Sequence, residues 1–397
     1  MKICMISYSF YESDNRVRRY AETLAKRGDE VDVFALGREG KPDFEVITGV
    51  RVYRIQKRAR DEKGPGTYLL KLLKFFIRSA WVVTVRHLQT PYSVFHVHSV
   101  PDFQVFATLV PRLMGAKVIL DIHDIVPEFY ASKFKVSEHS IVFRQLLLME
   151  KLSAWFSSHV IISNKLWYEK LIRRAVREEK CTTIINYPDP AIFYPRPRGM
   201  TNNPDFIVCY PGTLNHHQGV DIAIGAVKVL RDTVPNLKLW IIGDGPDRDQ
   251  LQDLVRRHHL EDRVVMTGPV PLEEVAQIMA DVDLGIVPKR SDSFGNEAFS
   301  TKIMEFMAMG VPVVASNTRI DRYYFGDGVV QFFDSGSPED LATKILTLVQ
   351  HPDARTALRD RGDEFIRKNN WGVKKQEYLT LVDRLLEQGK STLTAAA

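Results

Sequence analysis

The sequence predicts an α/β protein made of two doubly wound parallel-sheet halves. Three observations lead there. Short apolar, β-branched runs alternate with helix-like stretches along most of the 397 residues. The runs are apolar at nearly every position, as strands covered on both faces must be. The alternation also restarts after a proline-rich segment near residue 190.

In the first half, residues 2–7 read as a buried strand and 15–27 as a helix, with Val17, Tyr20, Ala21 and Leu24 at helical spacing and Gly28 closing it. Residues 30–36, 94–99, 116–122 and 160–163 are further strands. Pro188, Pro190, Pro195 and Pro197, followed by the polar residues 198–205, mark a linker. The expected first domain is therefore 1–190. A second domain, 191–370, carries strands at 206–210, 237–242, 264–267, 284–287, 311–315 and 329–332. Residues 371–397 read as a helix with Tyr378, Leu379, Leu381, Val382 and Leu385 on its apolar side, expected to pack back towards the first domain. Sheets of this kind bind ligands outside the carboxyl ends of their strands, so two halves facing each other would enclose a cleft.

Hydrophobic residues make up 45% and charged residues 26% of the chain, which fits a soluble globular protein, and a net charge of +5 does not by itself point to nucleic acid. Cys4, Cys181 and Cys209 are odd in number, widely separated and without metal-type spacing, so reduced thiols and a cytoplasmic location are expected. Residues 3–8 are too short for a secretory leader and are followed by Glu12 and Asp14. No run approaches the roughly 20 apolar residues of a membrane span. Residues 51–90, however, hold ten Lys/Arg against Asp61 and Glu62. Within them Lys71, Lys74 and Arg78 form one stripe of a helix otherwise rich in Leu, Phe and Trp. Such a helix lies in an anionic bilayer interface or covers a sheet with its lysines outward.

Three segments of the second half carry chemistry. The loop 210–221 contains Gly212, Thr213, Gln218 and Gly219 between a strand and a helix, a place where main-chain N–H groups can approach a phosphate, or simply a tight turn. The turn 243–246 (Gly-Asp-Gly-Pro) offers two glycines, Gly243 and Gly245, in a similar setting. In the segment 297–305, Glu297 and Glu305 stand eight residues apart, about 12 Å if helical. That is too far to share one ligand atom, but it suits two hydroxyl-bearing ends of an extended ligand. The segment runs on into Met-Gly310-Val-Pro312 and a β-branched strand.

In order and spacing, these three segments resemble the nucleotide-binding half of glycosyltransferase family 4, the retaining enzymes of the GT-B fold. More loosely, 15–19, 26–31, 96–98 and 121–128 resemble its other half. The resemblance implies a GT-B protein of two Rossmann-like domains facing a cleft. Its activity would be transfer of a sugar from a nucleoside diphosphate sugar, UDP-sugars favoured, to a hydroxyl of a glycan or lipid-linked acceptor. No metal or other cofactor is implied, and the enzyme would be cytoplasmic or peripheral on the inner membrane face. Glu297 would hold the donor sugar beside Ala298, Phe299, Ser300 and Thr301. Glu305 would hold the ribose, with Gly212, Thr213, Gln218, Gly243 and Gly245 completing the donor site. His123 matches the family histidine near the sugar. His98 and Arg16 belong to the acceptor or phosphate side. His96 and His98 share one strand face without a third ligand in sequence, and are read as cleft-lining or structural.

One departure stands out. The family commonly places Arg after the first glycine of its loop and Lys before the second, where this chain has Thr213 and Gln218. Lys302 is the expected replacement cation, with Arg16 as a second candidate. The missing cations also leave two rivals standing: a non-catalytic sugar-nucleotide-binding partner, and a sugar-nucleotide epimerase on the same scaffold.

Overall fold

The structure, a computed structural model, describes residues 1–58, 65–134, 137, 139–197 and 205–394. Arg60, Asp61, Glu62 and Lys63 of the basic stretch, residues 198–204 of the expected linker and residues 395–397 lie outside them. The chain divides into two compact units, Met1–Asn186 with Lys375–Ala397, and Tyr187–Lys374.

Unit 1 is built on an eight-stranded sheet of β1 (Lys2–Phe10), β2 (Glu30–Gly37), β3 (Phe44–Ile47), β4 (Val50–Lys57), β5 (Val94–His98), β6 (Lys117–Ile122), β7 (His159–Ile162) and β8 (Cys181–Thr183). The strand order is β3-β4-β2-β1-β5-β6-β7-β8, parallel except for the β3–β4 pair. Its helices are α1 (Asn15–Lys26), α2 (Pro65–Gln89), α3 (Leu109–Leu113), α4 (Val126–Phe134), α5 (Ile141–Phe156) and α6 (Lys165–Arg174). Helix α1 starts where the Asp14 carboxylate accepts the Val17 N–H, and it buries Val17, Tyr20, Ala21 and Leu24.

The strands β3 and β4 are absent from the sequence reading, which treated this region only as basic. In β4 alternate residues are buried, and its arginines are paired. Arg51 meets Glu30 and Asp32, and Arg54 meets Glu12 and Glu45. Part of the local charge excess is thus neutralised by acids distant in sequence.

Unit 2 holds β9 (Phe206–Pro211), α7 (Val220–Leu230), β10 (Leu237–Ile242), α8 (Arg248–Arg257), β11 (Val264–Gly268), α9 (Leu272–Met279), β12 (Leu284–Val287), α10 (Thr301–Ala308), β13 (Val313–Ser316), α11 (Arg319–Tyr324), β14 (Gln331–Phe333), α12 (Pro338–Gln350) and α13 (Pro352–Lys368). Its six strands run parallel in the order β11-β10-β9-β12-β13-β14. The order reverses beside β9, so the connections after β9 and β12 leave in opposite directions and open a crevice between them. The final helix, α14 (Trp371–Thr394), buries Tyr378, Leu381, Val382 and Leu385. Tyr378 lies 4.3 Å from the Tyr20 ring, and Asp383 pairs with Arg27 of unit 1 at 2.8 Å.

Glycine is required where the connections of unit 2 cross. Gly243 has φ of +139°, and a Cβ there would lie 2.0 Å from the Gly212 carbonyl oxygen. Gly28 has φ of +97° with nothing within 4 Å of its Cβ position. Gly28→Ala should therefore cost about 1 kcal/mol, the conformational penalty alone. Gly243→Ala should cost more than about 2 kcal/mol, because backbone must also move. Urea unfolding of both variants checks the order.

Candidate active site

The crevice beside β9 brings together residues that lie far apart in the chain. After β9 the backbone turns through Gly212 (φ +144°), whose N–H donates to Ile242 O at 2.8 Å, and Leu214 N–H donates to Asp244 O at 3.0 Å. The turn at Gly243 and Gly245 therefore lies against this first loop. A Cβ on Gly245 would stand 2.1 Å from Leu214 O. The lack of a side chain at both glycines lets the two loops pack directly on each other. Thr213 is exposed, and its carbonyl accepts the Tyr210 hydroxyl at 2.9 Å. Gly219 (φ +67°) then opens α7 against Pro288 O, which would lie 2.0 Å from a Cβ.

The connection after β12 is tied to the same loop. Arg290 N–H donates to His217 O at 2.8 Å, and its guanidinium reaches both Asp221 oxygens at 2.9 and 2.7 Å. Beyond it, Asp292 Oδ1 accepts the N–H of Phe294 and Gly295. That turn delivers Glu297, which is 9% exposed. Ala298, Phe299 and Ser300 follow, with Phe299 packed on Tyr324 at 4.8 Å between ring centres.

Ser300 sits at the cap position of α10 but does not cap it. Its hydroxyl donates instead to Asp321 at 3.0 Å. The first-turn N–H groups of α10, beginning at Thr301, are therefore left without a side-chain cap, which favours an anion there.

Lys302 leaves this helix and enters the glycine loop. Its Nζ donates to Gln218 Oε1 at 3.0 Å, and the same oxygen accepts the Tyr210 hydroxyl at 3.1 Å. A Cβ on Gly212 would stand 2.3 Å from Lys302 Cε, so the glycine makes room for the lysine. The side chain is half-buried with its amine enclosed. Burial lowers the pKa to about 8, against the opposing pull of Glu305, while Lys289 adds a further downward push. Glu305, half-buried, is the next residue but two on the same helix. No role could be read from sequence for Lys289, Arg290, Asp221 or Asp321, although Asp221 closes the loop 210–221 and Lys289 and Arg290 follow a predicted strand. Their only sequence signal was their position just after strands or at helix starts.

The remaining candidates belong to unit 1. Asp121, at the end of β6, is fully buried. It accepts from Arg16 Nε at 2.8 Å and Nη2 at 2.6 Å, from His98 Nδ1 at 3.0 Å and from His123 Nε2 at 3.0 Å. Burial pushes its pKa up, but Arg16 and the imidazoles outweigh this and hold it well below the usual carboxylate range. An ionised carboxylate only accepts, so His123 carries its proton on Nε2 and, when neutral, has its lone pair on Nδ1. His98 is buried, and burial lowers its pKa.

Arg16 Nη1 also donates to Ile184 O and Asn186 Oδ1, at 2.8 and 3.1 Å. Its guanidinium is thus paired with Asp121 at the edge of the polar cavity that it helps to line. His96, His98 and Asp121 place possible ligand atoms within 4.8 Å of one another. The Arg16 cation on both carboxylate oxygens opposes a metal ion there. Beside this cluster lies a polar cavity of about 400 Å³ lined by residues including Ser9, Ser13, Asn15, Arg16, His123 and Asn186.

Comparison with known proteins agrees with this geometry. The family model "Glycosyl transferase 4-like domain" matches residues 13–186, and "Glycosyl transferases group 1" matches 196–365. One component of the human phosphatidylinositol N-acetylglucosaminyltransferase is 24% identical over 79% of this chain and 61% of its own length. An uncharacterized glycosyltransferase of Methanocaldococcus jannaschii is 32% identical over 41% of this chain and 43% of its own. The chain thus spans less than two thirds of either relative.

Among solved structures, sucrose-phosphate synthase of Thermosynechococcus elongatus superposes with a TM-score of 0.79 at 20% identity, covering 98% of this chain and 100% of that one. Anabaena HepE, solved with UDP-glucose, gives 0.68 at 18% identity with both chains fully covered. These likenesses show the fold, two parallel-sheet α/β domains of the GT-B type. With the two family models matching successive halves, the chain belongs to the group 1 glycosyltransferases of family 4.

Proposed function

We propose that this chain transfers a glycosyl group from a nucleoside diphosphate sugar to an acceptor hydroxyl with retention of configuration. The carrying observation is Lys302. Its ammonium donates to Gln218, which occupies the sequence position of the family's loop lysine, and its side chain leaves the uncapped first turn of α10. In this reading the diphosphate lies on that helix start and on Lys302. Glu297 takes sugar hydroxyls and Glu305 the ribose. The bond from C1 to the diphosphate oxygen breaks as the acceptor oxygen attacks from the same face, and the acceptor proton passes to the departing phosphate. Negative charge grows on the leaving group, and fixed donors there lower the barrier. The polar cavity of unit 1, lined by His123 among others, is assigned to the acceptor. A UDP donor is favoured because HepE was solved with UDP-glucose.

We further assign one outer face of unit 1 to an anionic bilayer surface. Among the described residues no helix is long and apolar enough to cross a membrane. Yet Leu70, Leu73, Ile77 and Trp81 are exposed along α2, and Ile141, Leu148, Leu152 and Trp155 along α5. The tryptophans are 72% and 74% exposed. Both helices join the segment between them through Phe76–Phe103 and Phe106–Phe156 ring contacts. Lys74, Arg78, Arg144 and Lys151 are exposed beside these stripes. Helix α2 has no acid, and Glu150 of α5 is buried on Arg174. Apolar stripes with tryptophan and a basic rim suit an anionic interface.

Three measurements test these readings. In a thermal-shift panel of nucleoside diphosphate sugars, at least one should raise the melting temperature, and Glu305→Ala should abolish that rise. A flat panel for the wild type would sink the donor reading. Lys302→Ala should weaken donor binding about tenfold to a hundredfold, as loss of a charged hydrogen bond does. Because the lysine is charged below its pKa of about 8, wild-type affinity should fall as pH rises past that value. Lys302→Arg should move the fall to higher pH, and an unchanged profile would refute the role. Finally, the protein should sediment with anionic vesicles more than with neutral ones. The double variant Trp81→Ala/Trp155→Ala should lose most of that binding, and equal binding to both vesicle types would exclude the surface.

A further inference from the structure

Behind the donor segment lies a buried ion pair that the transfer chemistry leaves unused. Lys289 is 3% exposed and Asp321 is 0% exposed. Lys289 Nζ lies 3.0 Å from Asp321 Oδ2 and donates to the Ala298 carbonyl at 2.6 Å. The same Asp321 oxygen accepts the hydroxyls of Ser300 at 3.0 Å and Thr318 at 2.7 Å. Asp321 Oδ1 is buried with no hydrogen-bond partner among the described residues. Four side chains therefore tie together the two ends of the β12–α10 connection, at Lys289 and Ser300, and the start of α11, at Thr318 and Asp321.

Burying two charges is costly, and an apolar pair of similar volume is often as stable or more so. Stability alone therefore does not account for the pair. What it does is positional. The ammonium holds the carbonyl of the residue after Glu297. The carboxylate draws the Ser300 hydroxyl away from the helix it would otherwise cap. Both ends of the stretch 298–300 are thereby fixed from behind.

We infer that Lys289 and Asp321 are positioning residues for the donor sugar. They lock the main chain between Glu297 and α10, so that the Glu297 carboxylate meets the sugar hydroxyls and the first turn of α10 stays open to the diphosphate. This rests on the donor reading given above. Neither residue touches the donor in this scheme. The nucleotide end is held by Glu305 and Lys302 on α10, which is anchored independently by its buried face of Ile303, Met304, Phe306 and Met307. The pair therefore governs the sugar end more than the nucleotide end.

The test uses Lys289→Met/Asp321→Asn, which removes both charges and leaves no unpaired ion in the core. Three quantities are measured on the full chain: amide hydrogen exchange across 297–303, affinity for UDP-glucose, and affinity for UDP. The expected result is exchange faster by about tenfold in that segment, with protection elsewhere unchanged. UDP-glucose should bind about tenfold more weakly, while UDP binds as the wild type does. Wild-type exchange in the segment, or equal losses for UDP and UDP-glucose, would overturn the inference. If the double variant fails to fold, Asp321→Asn alone, which can still accept from Ser300 and Thr318, is measured the same way. Should the wild type bind neither UDP nor UDP-glucose, the UDP donor reading fails on its own, and the exchange data still decide whether the pair fixes the segment.

Discussion

Two parallel strands whose following connections turn away from each other leave a gap that no backbone ladder fills. In unit 2 this constraint falls at β9 and β12, and the rest of the unit is arranged around it. Main-chain groups at the gap need partners from loops and side chains. Arg290 bridges the two connections through Asp221 and two histidine carbonyls. Lys302 fills the space that Gly212 leaves. The crevice is thus a consequence of strand order, and its walls are side chains chosen to hold two diverging loops.

In the proposed donor site the ammonium is carried by α10 rather than by the glycine loop. An ammonium carried on a helix and projected into a loop differs from one carried by the loop itself. The helix is fixed by its apolar face, so the charge arrives on a rigid support, and its enclosure lowers its pKa to about 8. Lys289 and Asp321 lie close enough to act on that amine with opposite signs.

Unit 1 solves a related problem at the end of β6. Asp121 is a buried anion made tolerable by a bidentate guanidinium and two imidazole donors. Arg16 comes from α1, His98 from β5, and Arg16 reaches on to Ile184 and Asn186. The network fixes the proton of His123 on Nε2. In this arrangement the arginine is the counter-ion of Asp121, and both it and the histidine border the cavity.

The sequence alone determined the doubly wound class, most strands, and the three segments that meet at β9 and β12. Those features rest on local patterning: apolar runs, helical spacing, and glycines at strand ends. With no charge at Thr213 and Gln218, Lys302 stood as the candidate cation, and the fold sets its amine on Gln218. The sequence did not reveal β3 and β4, because alternating burial there was masked by arginines whose acid partners lie far away in the chain. Nor did it show that Arg16 pairs with Asp121, or Lys289 with Asp321. A lysine after a strand and an aspartate in a short helix look like solvated residues until the fold closes over them. Only tertiary structure decides which charges are paired, since pairing depends on distance in space, and ionic contacts between remote segments leave no periodicity in the chain.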